Sequence, residues 1–165
     1  MSGYVEQGEV VRNEQIGSDV WIMDIHAPKQ AVEAKVGQFC NVRVADSTAP
    51  LLRRPISYAG FDARKGTITL LYRVVGKGTE IMTRLVPGDT LDCLGPLGEP
   101  FVTSNNMLLI GGALVLHRCY VSPLICKKVK KHKLFLVLEM KVKPSGLIYL
   151  KIRLFKSTSL LMMVA

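Results

Sequence analysis

Arg53 and Arg54 stand immediately before Pro55, Ile56 and Ser57. A guanidinium fork matches two phosphate oxygens at once, and a proline fixes an extended entry into the strand that follows. Leu71, Tyr72 and Arg73 set an aromatic face beside another cation. Directly after them Gly76, Lys77, Gly78 and Thr79 form a flexible loop feeding a helix start, where free backbone N–H groups favour an anion. Each feature alone has an ordinary explanation: an Arg-Pro pair commonly opens a solvated strand, and a Gly-x-Gly-Thr turn commonly only caps a helix. Together they suit a ligand that carries phosphate.

The elements that must position these residues are mostly strands. Short β-rich runs occupy residues 5–11, 20–25 and 39–44, separated by turn residues. Residues 55–61 and 67–75 flank a polar loop ending in Gly66, which predicts a hairpin of two long antiparallel strands. Thr79 is a fair N-cap for one short helix, in which Ile81, Met82 and Leu85 share a face. Pro87, Gly88 and Asp89 end it, residues 90–94 return as a strand, and a turn is expected at residues 95–98. Short strands with frequent turns and a single helix predict an all-β antiparallel barrel or sandwich over residues 1–104.

Charge divides the chain. The net charge is +9, but residues 1–106 hold 11 basic and 12 acidic residues, whereas residues 107–165 hold 11 basic residues and the single acid Glu139. A composition break of this kind marks a boundary between segments of different character. Cys40, Cys93, Cys119 and Cys126 form no CxxC pair and fit no metal-site spacing, so they read as thiols of a reducing compartment. The polar, acidic N-terminal stretch lacks the features of a signal peptide, and the longest apolar run stops at His117, short of the roughly 20 residues that span a bilayer. A cytoplasmic protein with no membrane span is expected. Lys127, Lys128, Lys130, Lys131 and Lys133 leave open a different class of function, a basic module that binds nucleic acid or anionic lipid through the tail.

The ordered segments RRPISYA, LYRVVGKGT, a helix and PGDTLDCLGPLGEPF resemble the FAD domain of the ferredoxin–NADP reductase superfamily. Within it, the nearest likeness is to electron-transfer subunits of bacterial NAD-dependent dihydroorotate dehydrogenases. The resemblance covers residues 1–112 and implies a Greek-key FAD-binding barrel followed by the start of an α/β nucleotide-binding domain. It further implies that Arg54 pairs with the FAD pyrophosphate and that Pro55, Ile56 and Ser57 line the isoalloxazine, with the Ser57 hydroxyl near its reactive edge. Leu71, Tyr72 and Arg73 would pack along the ribityl and adenine-side portions, and Gly78 and Thr79 would donate to the pyrophosphate. No acid–base residue or nucleophile is required, since the flavin carries the redox chemistry. The implied partners are an FMN-containing dihydroorotate dehydrogenase catalytic subunit, a [2Fe–2S] cluster and NAD, with no nucleic acid and no membrane. Another reductase of the same superfamily, serving a different acceptor, is the neighbouring alternative.

The likeness weakens after Gly112. Residues 108–112 read as a buried strand entering a nucleotide loop, but residues 113–165 lack further loop glycines and the cysteine cluster expected for [2Fe–2S]. On this reading His117, His132, Cys119 and Cys126 are incidental, and residues 134–138 and 147–150 are β-prone without a sheet to bury them, an aggregation hazard. A shift of reading frame just after Gly112 would account for the lost resemblance, the reversed charge balance and the early ending together. Resequencing the gene tests this: a second frame restoring the family pattern is the expected outcome, and an intact frame with no such alternative refutes it.

Overall fold

The computed structural model describes residues 3–44 and 50–102 in full, and the backbone of residues 108–112, 134–142 and 148–156. The chain divides into two compact units, Met1–Phe101 and Val102–Ala165.

In the first unit six strands close a barrel: β1 (Tyr4–Gln15), β2 (Val20–His26), β3 (Phe39–Arg43), β4 (Arg54–Asp62), β5 (Thr67–Arg73) and β6 (Thr90–Leu97). Their spatial order is β1-β2-β5-β4-β3-β6, and every neighbouring pair is antiparallel. Of the antiparallel barrel or sandwich expected from the strand pattern the barrel is present, in the Greek-key order that the resemblance implies. Alternation supplies the interior: Val10, Met23, Ile25, Cys40, Val42, Tyr58, Ile68, Leu70, Tyr72, Leu91 and Cys93 all point inward and are buried. Cys40 and Cys93 are free thiols, and the Cys40 pKa is pushed up by its hydrogen bond with Cys93 and by burial.

Two short helices complete the unit, where the sequence pattern suggested one. The additional helix, α1 (Pro28–Glu33), has Pro at its first turn and no capping side chain of its own. Its cap comes from strand β1: the Glu6 carboxylate accepts from the Lys29 and Gln30 N–H groups at 3.1 and 2.9 Å. That partner lies more than twenty residues away, so the cap is not legible locally, although Pro28 and the helix formers Lys29, Gln30, Ala31 and Glu33 are. The other helix, α2, spans Lys77–Met82 and begins two residues before its expected cap. Thr79 sits inside the first turn, and its hydroxyl accepts from the Val75 and Gly76 N–H groups while donating to the Gly76 carbonyl.

A polar chain crosses the core beneath α1. Gln30 is fully buried, donates from Nε2 to the Cys93 carbonyl at 2.7 Å, and accepts at Oε1 from the Tyr58 hydroxyl at 2.7 Å. Gly95 lies against this chain, and β6 runs into the expected turn as far as Leu97, Gly95 still pairing with Tyr4 of β1 and Leu97 with Phe39 of β3. A methyl group at Gly95 would collide with the Tyr58 hydroxyl, approach Gln30 Oε1 to 2.8 Å and approach Cys40 Cβ to 3.0 Å. The chain finally turns at Gly98, whose φ of 82° favours glycine.

In the second unit β7 (Leu108–Gly112), β8 (Leu134–Val142) and β9 (Ile148–Lys156) form a three-stranded sheet in that order. β7 and β8 are parallel, from Leu108 opposite Leu134 to Gly112 opposite Leu138, and β8 and β9 are antiparallel. Residues 134–138 and 148–150, expected to lack a sheet, therefore pair within one. His117, Cys119, Cys126, His132 and the lysines of residues 127–133 lie outside the described residues. Among the described residues no helix is long and apolar enough to cross a membrane.

Gly95→Ala is expected to lower the unfolding free energy by about 1–3 kcal/mol through overpacking, read from denaturant melts of the full chain. An unchanged midpoint would show that the Tyr58–Gln30 chain yields without cost.

Candidate functional site

The barrel is paired unevenly along β4. Its outer half pairs with β5 from Asp62 opposite Thr67 to Tyr58 opposite Leu70, with an irregularity between Tyr58 and Gly60. Such a bulge bends and twists a strand. Beyond it β4 stays on β3, with Arg54 opposite Val42 and Ser57 opposite Phe39. β5 meanwhile stays on β2, with Leu71 opposite Ile22 and Arg73 opposite Val20. The sheet thus parts between residues 54–57 and residues 71–73, which are the two segments whose residue types suggested a ligand.

Strand alternation distributes the candidate residues over two faces. Arg54 and Ile56 share the face of buried Tyr58, and Ile56 packs against the core. Pro55 and Ser57 take the opposite face, as do Leu71 and Arg73 across the opening. Tyr72 departs from expectation. It continues the inward row of Ile68 and Leu70, is 3% exposed, and donates its hydroxyl to Asn13 Oδ1 at 3.0 Å. Its ring is therefore core and offers no face to a ligand. Arg73 is already matched, with Nε 2.8 Å from the Asp19 carboxylate. The Thr79 hydroxyl is likewise occupied within its own loop.

Arg54 and Gly78 are brought together from 24 residues apart. The Arg54 guanidinium lies directly on Gly78: a Cβ there would collide with Nε and stand 3.0 and 3.1 Å from the next two guanidinium atoms. Only glycine lets the helix backbone approach so closely. Arg54 donates to the carbonyls of Leu52 at 2.7 Å and Arg53 at 3.4 Å. Arg12, Arg53, Arg73 and Arg84 each meet a carboxylate, whereas among the described residues half-buried Arg54 meets none. A partly desolvated cation with no anion leaves favourable electrostatic energy unrealised.

Arg53, its neighbour, is engaged elsewhere. Its two terminal nitrogens grip the Asp92 carboxylate at 2.7 and 3.0 Å, and one also reaches the Asn41 and Asp92 carbonyls at 3.3 Å. This fork ties the start of β4 across β3 to β6. Sequence reading paired the two arginines as one phosphate-binding feature; alternation on a strand, with an acid on the outer face, separates them. Among the described residues no group of three or more His, Cys, Asp or Glu could hold a metal ion.

The family of the oxidoreductase FAD-binding domain matches residues 7–101, more than half of the chain. The chain belongs to this FAD-binding domain family. Curated relatives of the FAD-binding domain include proteins named dihydroorotate dehydrogenase B (NAD⁺), electron transfer subunit. The one from Desulforamulus reducens is 42% identical over 97 residues, 59% of this chain and 37% of that protein. The Bacillus pumilus protein is 35% identical over 133 residues, 76% of this chain and 52% of the relative. That span is longer than residues 1–112, so the likeness extends past Gly112. The chain spans between a third and about half of the length of these relatives. A solved NADH-dependent reduced ferredoxin–NADP oxidoreductase superposes with a TM-score of 0.72 at 27% identity, over 87% of this chain and 52% of that one. Phthalate dioxygenase reductase shares the fold, with a TM-score of 0.63 at 16% identity over 87% of this chain and 46% of that one.

Burial raises the Tyr72 pKa from 10.0 to about 12, against a smaller opposing effect of its bond to Asn13. The folded state therefore holds this proton more tightly than the unfolded state. The associated stability is complete below pH 10 and is lost as pH rises from 10 to about 12. Thermal melts across that window should fall less steeply for Tyr72→Phe than for the wild type, by up to about 1.4 kcal/mol per pH unit. Equal slopes would show that Tyr72 ionises as freely in the fold as outside it. Tyr4, whose pKa burial and the nearby Glu33 and Glu6 raise to about 12, supplies a residual slope in both proteins.

Proposed function

We propose that the first unit holds FAD for an electron-transfer subunit of a dihydroorotate dehydrogenase. The observation that carries this reading is half-buried Arg54, lying on Gly78 at the opening between β4 and β5 and meeting no carboxylate among the described residues. A pyrophosphate supplies the missing anion, and a guanidinium engages its oxygens in two-point geometry. Gly78 lets backbone and guanidinium approach the same group. Pro55 and Ser57, with the Ile56 main chain between them, would border the isoalloxazine, and Leu71 and Arg73 would face the ribityl and adenine-side portions. Tyr72 and Thr79 take part only indirectly, the first through Asn13 and the second by shaping the loop.

When bound, FAD supplies the ability to take electrons as a hydride pair and release them singly. The chain's own residues bind and orient it. In this reading the partner is an FMN-containing catalytic subunit that oxidises dihydroorotate, and NAD⁺ is the terminal acceptor. Support comes from the names of the relatives at 42% and 35% identity. A cytoplasmic setting accords with the free thiols Cys40 and Cys93. A second reading, a ferredoxin–NADP-type reductase with another acceptor, is favoured by the superposition on the NADH-dependent enzyme at 27% identity. Copurification with an FMN-bearing dehydrogenase separates the two.

Purified full-length protein should be yellow and bind FAD with visible flavin absorbance. Arg54→Ala should raise the FAD dissociation constant by roughly 10- to 100-fold, the loss of a charge-assisted contact. Arg64→Ala, on the exposed hairpin, should leave it unchanged, and Arg53→Ala should lower stability first. A colourless protein that takes up no added FAD would refute the assignment.

A further inference from the structure

α2 is too short to fix its own position. Six residues do not sustain a helix in water, and the last carbonyls of any helix lack partners within it. Here the Glu80, Ile81 and Met82 carbonyls accept from the N–H groups of Thr83, Arg84 and Leu85 at 3.2, 3.1 and 3.3 Å, and the Met82 carbonyl, with that of Leu85 just beyond the helix, is also met from β1. Asn13 Nδ2 donates to the Met82 carbonyl at 2.8 Å and to the Leu85 carbonyl at 2.9 Å, across 69 and 72 residues of sequence. Its Oδ1 accepts from the Tyr72 hydroxyl on β5 at 3.0 Å. The amide orientation follows from the partners: two carbonyls can only accept, so the NH₂ group faces them and the oxygen faces the phenol. An aspartate at this position could donate to neither carbonyl. Met82 is fully buried and Ile81 and Leu85 pack on the same core, so the clamp holds a helix already seated by its apolar side.

Gly78 lies one helical turn before Met82. Whatever sets the seat of Met82 and Leu85 therefore sets the position of Gly78, and with it the surface on which the Arg54 guanidinium rests. We infer that Asn13 is a positioning residue for the phosphate-binding part of the site: by clamping the far end of α2 it fixes Gly78 against Arg54. Asn13 itself touches no ligand. The inference rests on the FAD reading, because it assigns the Arg54–Gly78 contact to a pyrophosphate. Tyr72, expected from sequence to face the cofactor, belongs to this clamp as the group that orients the Asn13 amide.

The test uses the full chain and three probes: FAD, ADP, which carries the pyrophosphate, and riboflavin, which carries none. Asn13→Leu removes both donors; Asn13→Ser, a milder change, serves if the leucine variant does not fold. The dissociation constants for FAD and ADP are expected to rise by roughly 5- to 10-fold, as for loss of one or two neutral hydrogen bonds, while that for riboflavin stays within about twofold. Tyr72→Phe, which keeps both carbonyl bonds, should show a smaller effect of the same selectivity. Equal weakening of ADP and riboflavin, or no weakening of either, overturns the inference, since general loosening of the fold would not discriminate between the probes. Amide hydrogen exchange in the absence of ligand separates the two layers of the argument. If wild-type protein binds neither FAD nor ADP, the cofactor reading fails. Faster exchange at residues 77–82 in Asn13→Ser would then still support the clamp, and unchanged exchange would refute it.

Discussion

Adjacent residues of a strand face opposite ways, and at the start of β4 this constraint gives two consecutive arginines different duties. Arg53 turns outward and closes a fork on Asp92, which binds the strand to β3 and β6. Arg54 turns with Ile56 and Tyr58 toward the side where β5 has left, and lies on Gly78. A guanidinium can be held half-buried without an acid only if the backbone carrying it is fixed by something else, and the Arg53–Asp92 fork is that fixture. Bidentate geometry matters here because it restrains direction as well as distance.

The opening beside Arg54 has its own cost. Parting β4 from β5 over part of their length gives up ladder hydrogen bonds that a fully paired barrel would make. The barrel offsets this at its other positions with a core polar chain, Tyr58 to Gln30 to the Cys93 carbonyl, in which buried donors and acceptors are satisfied. That chain ties β4, α1 and β6 together on the inner side of the bulge. Tyr58 stays protonated there, burial holding its phenol well above the ordinary range. The register irregularity thus falls beside this support, and β4 leaves β5 beyond Tyr58 while its core side chain stays in place.

Much of this was legible in the sequence. All six barrel strands were visible, because alternation is a local signal and each strand carries it. The segments proposed for the site stand out as residue types. What could not be read was any property set by a distant partner. Helix α1 has good helix formers and Pro at its first turn, but it is short, its N-cap position is Ala27, and the cap it lacks comes from Glu6. The start of α2 moved because the Thr79 hydroxyl reaches back to residues 75 and 76 instead of capping forward. Tyr72 was misplaced for a different reason: its parity with Ile68 and Leu70 was present in the sequence and assigns it to the core. Which of two neighbouring arginines would be bound by an acid depended on Asp92, 39 residues on.

The same comparison separates residues that bind from residues that hold. Arg73 and Thr79 have chemistry suited to a phosphate, yet both spend it on the protein, one on Asp19 and the other on its own loop. Arg54 has identical chemistry to Arg73 and, among the described residues, spends it only on carbonyl oxygens of its own segment. Carbonyls satisfy donors but carry no net charge, so they leave the cation electrostatically incomplete. A half-buried group whose hydrogen bonds are met while its charge is not is better suited to an incoming anion than a group lacking both. It is already oriented, and it loses little conformational freedom on binding. By that criterion the proposed phosphate recognition would concentrate on Arg54 and Gly78, with the surrounding motif serving mainly to place them.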